Sequence, residues 1–211
     1  MSKIRFRYTK TGRAKYISHL DLVATFQRSF RRAGIELKYS EGFNPHPYMS
    51  VALPLPVGQE SLCEMIDIAL IDDIVPDIKK LKLPDGIVVA DAYLPSRKFS
   101  EIGWIEICVG LNYNRQVDSD FIESIKHCFC KDSIVISKRT KRGFSDLDIA
   151  PHIKNVEVSY GENVMLKAMI SAQNPTINAD DLLNSLDDEL KPNHIDVRRI
   201  EIYDTNMIVF N

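Results

Sequence analysis

Three arginines crowd the end of one predicted helix. Arg28 and Arg32 stand four apart in a segment that reads as a helix from Ser18 to Ala33. At 100° per residue they share a narrow arc with Asp21 and Thr25, away from the apolar stripe. A like-charge pair at that spacing costs roughly 0.2–0.5 kcal/mol unless an anion sits over it. Arg31 adds a third charge at the same end. Guanidinium groups match phosphate oxygens two at a time, so the arrangement fits a phosphate-binding face. Salt bridges to the chain's own carboxylates are the alternative.

The segment Ser40-Glu41-Gly42-Phe43-Asn44-Pro45-His46-Pro47 is the most unusual local sequence. Two prolines fix the backbone around His46, and Gly42 permits a left-handed turn. Such a loop suits Asn44 and His46 to contact a base or ribose, and His46 to act as a general acid–base. The bland alternative is an ordered loop in which Asn44 caps its own backbone. Lys3, Arg5 and Arg7 alternate with Ile4, Phe6 and Tyr8, so in a strand they would line an open sheet face, with Lys38 joining from the next strand. Glu64 and Asp67 could instead neutralise them. A second basic knot, Lys138-Arg139-Thr140-Lys141-Arg142, completes the candidate nucleic-acid contacts. The pair of stacking aromatics of the RNA-recognition motif is missing. His19 is expected to pack at the helix start. His127, Cys128 and Cys130 crowd one helix end at a spacing that suits no common metal site, so neither metal nor cofactor is expected.

Charge sharpens the picture. Residues 1–50 hold ten Lys and Arg against Asp21, Glu36 and Glu41, a balance of +7; with a net charge of −2, the remainder carries −9. Local basic charge on an otherwise acidic chain suggests a site for an anionic partner. No apolar run approaches the roughly 18 residues of a membrane span, and the first residues lack the apolar stretch of a signal peptide. Cys63, Cys108, Cys128 and Cys130 form no Cys-x-x-Cys pair, which argues against a zinc ribbon or a disulfide scaffold. A cytoplasmic protein with no membrane partner is expected.

These residues need elements to hold them. Strands are predicted over 3–8, 35–39, 62–71 and 87–93, with a short edge strand at 51–53, and helices over 18–33 and 73–81. The pattern restarts after Pro95-Ser96-Arg97-Lys98. Strands follow at 102–111, 134–137, 156–160, 164–171 and 195–203, helices at 119–129 and 179–190, and an irregular loop at 142–152. The two halves match in order at an offset of about 100 residues. Each reads β-α-β, a special loop, β, α, β. The expected fold class is therefore α+β, two tandem ferredoxin-like (βαββαβ) units with antiparallel sheets. The expected domains are a basic unit over 1–95, with a Gly/Pro loop at 42–58, and a second unit over 99–211. The loops rhyme too: Gly42-Phe43 and Pro45-His46 in the first half answer Gly143-Phe144 and Pro151-His152 in the second.

Several motifs in order carry a resemblance. Tyr16-Ile17-Ser18-His19-Leu20-Asp21-Leu22, Phe30-Arg31-Arg32-Ala33-Gly34, the 40–47 loop and Ala52-Leu53-Pro54-Leu55-Pro56-Val57-Gly58 together resemble the radical-SAM-linked domain of unknown function. The second-half stretch from Lys141-Arg142-Gly143-Phe144 to Ile153 is similar as well. The resemblance implies a radical-SAM protein with a cobalamin-type domain as neighbour or fusion partner. A looser likeness, in the helix end and the Ser-x-Gly-x-x-Pro loop, is to the CRISPR repeat-RNA-processing endoribonucleases. Their Gly-rich loop near the C-terminus has no counterpart, since 195–203 contains no glycine.

The leading expectation is a non-catalytic subunit that binds RNA and presents it to a radical-SAM modifying enzyme. Arg5, Arg7, Arg28, Arg31, Arg32, Lys38, Lys138, Arg139, Lys141 and Arg142 would meet the RNA, with Asn44 and His46 at a base or ribose. The alternatives are a metal-independent endoribonuclease using His46 and an interaction module docking an acidic protein.

Overall fold

The computed structural model describes residues 3–72, 74–140 and 143–211, with Thr140 through its backbone alone. Lys141 and Arg142 of the basic knot lie outside the described residues, as does Asp73 at the start of the expected 73–81 helix. The chain divides into two compact units, one running to Glu101 and including Asn211, the other spanning Ile102–Phe210.

In the first unit the opening alternation makes strand β1 (Ile4–Lys10). Helix α1 (His19–Arg32) follows, then β2 (Met49–Val51), β3 (Glu60–Ile68) and β4 (Ile87–Tyr93). The sheet order is β4-β1-β3-β2, antiparallel throughout. That is the strand order of a ferredoxin-like unit. Phe6 and Tyr8 face α1, where Phe30 and Phe26 meet them edge-on at 5.1 and 5.0 Å between ring centroids. All four rings are buried; truncating one such Phe to Ala typically costs about 3–5 kcal/mol.

Helix α1 starts and stops where its sequence says it should. Ser18 accepts a hydrogen bond from the Asp21 amide and donates one to the Asp21 carboxylate, relieving an otherwise unpaired N-terminal N–H. At the far end the Ile35 amide reaches the Phe30 carbonyl and the Gly34 amide the Arg31 carbonyl, a Schellman closure.

The second unit repeats the plan with β5 (Ile102–Asn112), α2 (Ser119–Cys128), β6 (Val135–Thr140), β7 (Gly143–Asp148), β8 (Ile153–Tyr160), β9 (Val164–Ser171), α3 (Ala179–Asn184) and β10 (His194–Asp204). Its sheet runs β10-β5-β9-β8, again antiparallel. Strands β6 and β7 form a separate two-stranded ribbon between α2 and β8. Fold class α+β with antiparallel sheets is what the structure shows.

Four local expectations give way. Residues 35–39 make isolated bridges, Leu37 with Leu70 and Tyr39 with Pro47, instead of a strand. Of the 73–81 helix the described residues keep one 3-10 turn, Ile78–Lys80. Pro76 pushes Val75 away from helical geometry and cannot donate a helical hydrogen bond. Helix α3 stops at Asn184, where the Ser185 hydroxyl turns back onto the Leu182 carbonyl; serine competes with helix in this way. The loop expected at 142–152 contains β7, whose Gly, Ser and Asp residues hide a strand that exists only because β6 pairs with it.

Candidate nucleic-acid interface

Helix α1 presents Arg28, Arg31 and Arg32 on its exposed side. Each is steadied by one hydrogen bond. Arg28 donates to the Thr25 hydroxyl (3.2 Å), Arg31 to the Tyr39 hydroxyl (2.8 Å) and Arg32 to the Lys82 carbonyl (2.8 Å). A guanidinium has five N–H donors, so each keeps capacity for an anion while its direction is set. Thr25 is buried beside the stripe, contrary to its expected place on the polar arc. The Arg32 hydrogen bond brings the main chain at Lys82, an exposed residue, against the helix, a neighbourhood that sequence spacing had no means of assigning.

The 40–47 loop is held from both sides. The Ser40 amide donates to the His46 carbonyl (2.9 Å), and the His46 amide donates to the Ser40 hydroxyl (3.0 Å). Ser40, not Asn44, supplies the side-chain tie. Residues 41–46 are exposed, and Phe43 at the tip is fully so. Tyr39 at the base of the loop accepts from Gln27 (3.1 Å) as well as from Arg31, so helix and loop share one phenol. The Gln27 hydrogen bond draws that phenol below its ordinary pKa, helped by the hydrogen bond and charge of Arg31 and opposed by burial. Sequence reasoning missed both aromatics. Tyr39 continued the apolar alternation of Ile35 and Leu37, whereas Phe43 stood between Gly and Asn-Pro outside any periodic stripe, marked by that and by the matching Gly143-Phe144 pair.

The basic strand face is a different matter. Arg5 is fully buried, paired through two nitrogens with Asp67 at 2.8 and 3.1 Å. The Arg97 carbonyl accepts from it (2.9 Å) and the Phe99 ring lies 4.2 Å from its guanidinium carbon. The segment over residues 97–99 thus covers the face expected to be open, and Arg5 leaves the set of phosphate-binding candidates. Arg7, half-buried, donates to the Asn211 side chain (3.2 Å). Lys10 is buried too, its ammonium pushed below the ordinary value by burial against the field of Glu64. Lys38 is partly buried in the segment entering the loop, its amide donating to the Ala69 carbonyl and its carbonyl accepting from Tyr48.

In the second unit Lys138 pairs with Asp181 at 2.5 Å and donates to the Thr176 carbonyl at 2.6 Å. It staples β6 to the start of α3 and leaves the set. Arg139 is exposed one residue on, directly opposite Phe144 in the ribbon register. His19 is exposed, not packed, because Leu22 and not the first turn meets the core. Among the described residues His46 makes its hydrogen bonds through its backbone, and no helix is long and apolar enough to cross a membrane.

The architecture is that of a tandem α+β protein with a basic, loop-bearing first unit. The chain belongs to the family described as "Uncharacterized protein conserved in bacteria (DUF2344)", which matches residues 3–179. No curated protein matches it in sequence. Among solved structures it is similar to a CRISPR-associated protein from Thermus thermophilus at 9% identity, over 93% of this chain and 99% of that one, with a TM-score of 0.22. It is also similar to Thermus thermophilus Cse3 bound to an RNA representing a pre-cleavage complex, at 8% identity over 92% and 98% of the two chains, with a TM-score of 0.22. At that TM-score neither likeness bears on the roles of this chain's residues.

Proposed function

We propose that this protein recognises RNA through its first unit and presents it to a radical-SAM modifying enzyme. One observation carries the RNA reading: three exposed guanidinium groups within little more than a turn of α1, one of them tied through Tyr39 to a rigid exposed loop bearing Asn44 and His46. Arg28, Arg31, Arg32 and Lys82 would meet phosphates; Asn44 and His46 would meet a base edge or ribose. Arg139 of the second unit would meet a further phosphate, with Lys141 and Arg142 beside it in sequence. The motif resemblance supplies the enzyme partner, which would carry the chemistry.

The test is binding of a cellular RNA pool across a salt titration. Phosphate neutralisation releases counterions, so affinity should fall steeply and log-linearly with salt. The Arg28→Glu/Arg32→Glu variant should bind more weakly, with a salt slope shallower by about one for each phosphate no longer neutralised. Absent binding at low salt, or binding indifferent to salt, would overturn the reading. Metal-free cleavage of RNA that His46→Ala abolishes would replace it with a nuclease.

A further inference from the structure

In both units the connection from the first helix to the second strand of the βαββαβ plan contains an antiparallel ribbon. In the first unit the ribbon is short: Tyr39 bridges Pro47, the Tyr48 amide reaches the Lys38 carbonyl (3.0 Å), and Ser40 and His46 close it. In the second it is β6 and β7. Each ribbon carries a Gly-Phe pair at or next to its turn, about 100 residues apart in the chain. Gly42 has φ +115° and Gly143 φ +121°, a region L side chains rarely enter. Phe43 is 107% exposed and Phe144 75%.

A lone exposed apolar side chain needs no explanation. Two exposed phenylalanines in corresponding connections, each after a positive-φ glycine, are less easily dismissed. Each also stands on a support that carries a guanidinium. Arg139 is the cross-strand partner of Phe144, and Arg31 grips Tyr39 at the base of the Phe43 loop. An aromatic ring and a cation held on one ribbon can together take up an unpaired base and its phosphate. A paired duplex offers no such base, because its rings are already stacked on one another.

We infer that Phe43 and Phe144 are base-stacking tips, one per unit, and that the RNA is single-stranded where it meets them. This rests on the RNA reading above and adds the class of RNA. The phenylalanines supply stacking, which tolerates any sequence, and the arginines supply the salt-dependent part.

The experiment is fluorescence anisotropy of the full-length chain with a short unstructured RNA and with a duplex RNA of the same length. The single strand should bind more tightly. Phe43→Ala and Phe144→Ala should each weaken single-strand binding about 5- to 140-fold, leaving duplex binding and the salt slope unchanged. Phe→Trp at either tip should keep affinity, and Phe→Leu should lose it as alanine does. If the alanine variants bind the single strand like the wild type while Arg28→Glu/Arg32→Glu does not, the stacking tips are wrong and the RNA reading stands. Leucine variants that retain full affinity would make the tips plain apolar surfaces and also overturn the inference. If the wild type binds neither RNA at low salt, the RNA reading itself fails and the tips fall with it.

Discussion

At the scale of single residues, the arginines of this chain divide into two kinds that look alike in sequence. Arg5 sits across from Asp67 on the neighbouring strand and is sealed beneath Arg97 and Phe99. Removing one member of a buried pair strands the other charge, so Arg5→Met should cost about 3–5 kcal/mol, read by urea denaturation. The double variant Arg5→Met/Asp67→Leu should recover most of that loss. Arg31 is the opposite case, exposed and aimed by the Tyr39 hydroxyl. Tyr39→Phe removes the acceptor shared by Gln27 and Arg31 and should cost about 1 kcal/mol. The same variant should weaken RNA binding with little change in the salt slope, since it misdirects a guanidinium without deleting it.

The elements explain why the two kinds separate. Strand β1 is covered on both faces, by α1 on one side and by the 97–99 segment on the other, so its alternation no longer means one dry face and one wet one. Helix α1 is covered on one face, and its period stayed readable. The junction between β1 and its neighbour β4 is similarly tight. The Thr11 amide donates to the Gly86 carbonyl at 2.8 Å, and a Cβ on Gly86 would lie 2.1 Å from the Thr11 oxygen with φ at +87°. Gly86→Ala should therefore destabilise the first unit by at least about 2 kcal/mol, combining a clash with left-handed strain. Ser18→Ala, which leaves the Asp21 amide uncapped, should cost about 1 kcal/mol, measured the same way.

For the whole molecule, pH gives a test that spans both units. Burial raises the phenols of Tyr93, Tyr113 and Tyr203 above their ordinary value, Tyr113 to about 12. Phenols that stay protonated in the fold but ionise in the unfolded chain near pH 10 make the unfolded state lose protons first. Stability should be fully present below about pH 10 and should fall as the pH climbs toward about 12. Tyr113→Phe should flatten that fall in urea titrations at alkaline pH, while lowering stability at neutral pH through loss of the hydrogen bond to the Leu190 carbonyl.

The repeated α+β plan was readable from the residues alone, because periodicity and caps are local: Ser18 and Asp118 each accept the hydrogen bond of an amide three residues on, and the Asn178 and Asp181 side chains each accept from the other's amide. The sequence also marked the 40–47 loop, whose prolines and glycine constrain the backbone whatever surrounds it. Which cations are available was not readable in the sequence. Arg5 and Lys138 are consumed by Asp67 and Asp181, residues 62 and 43 positions away, while Arg32 is steadied by the Lys82 carbonyl across 50. Strand β7 was equally illegible, since weak strand formers become a strand when a partner completes their hydrogen bonds. Charge is written in the sequence; whether water or a carboxylate receives it is settled by packing between distant residues.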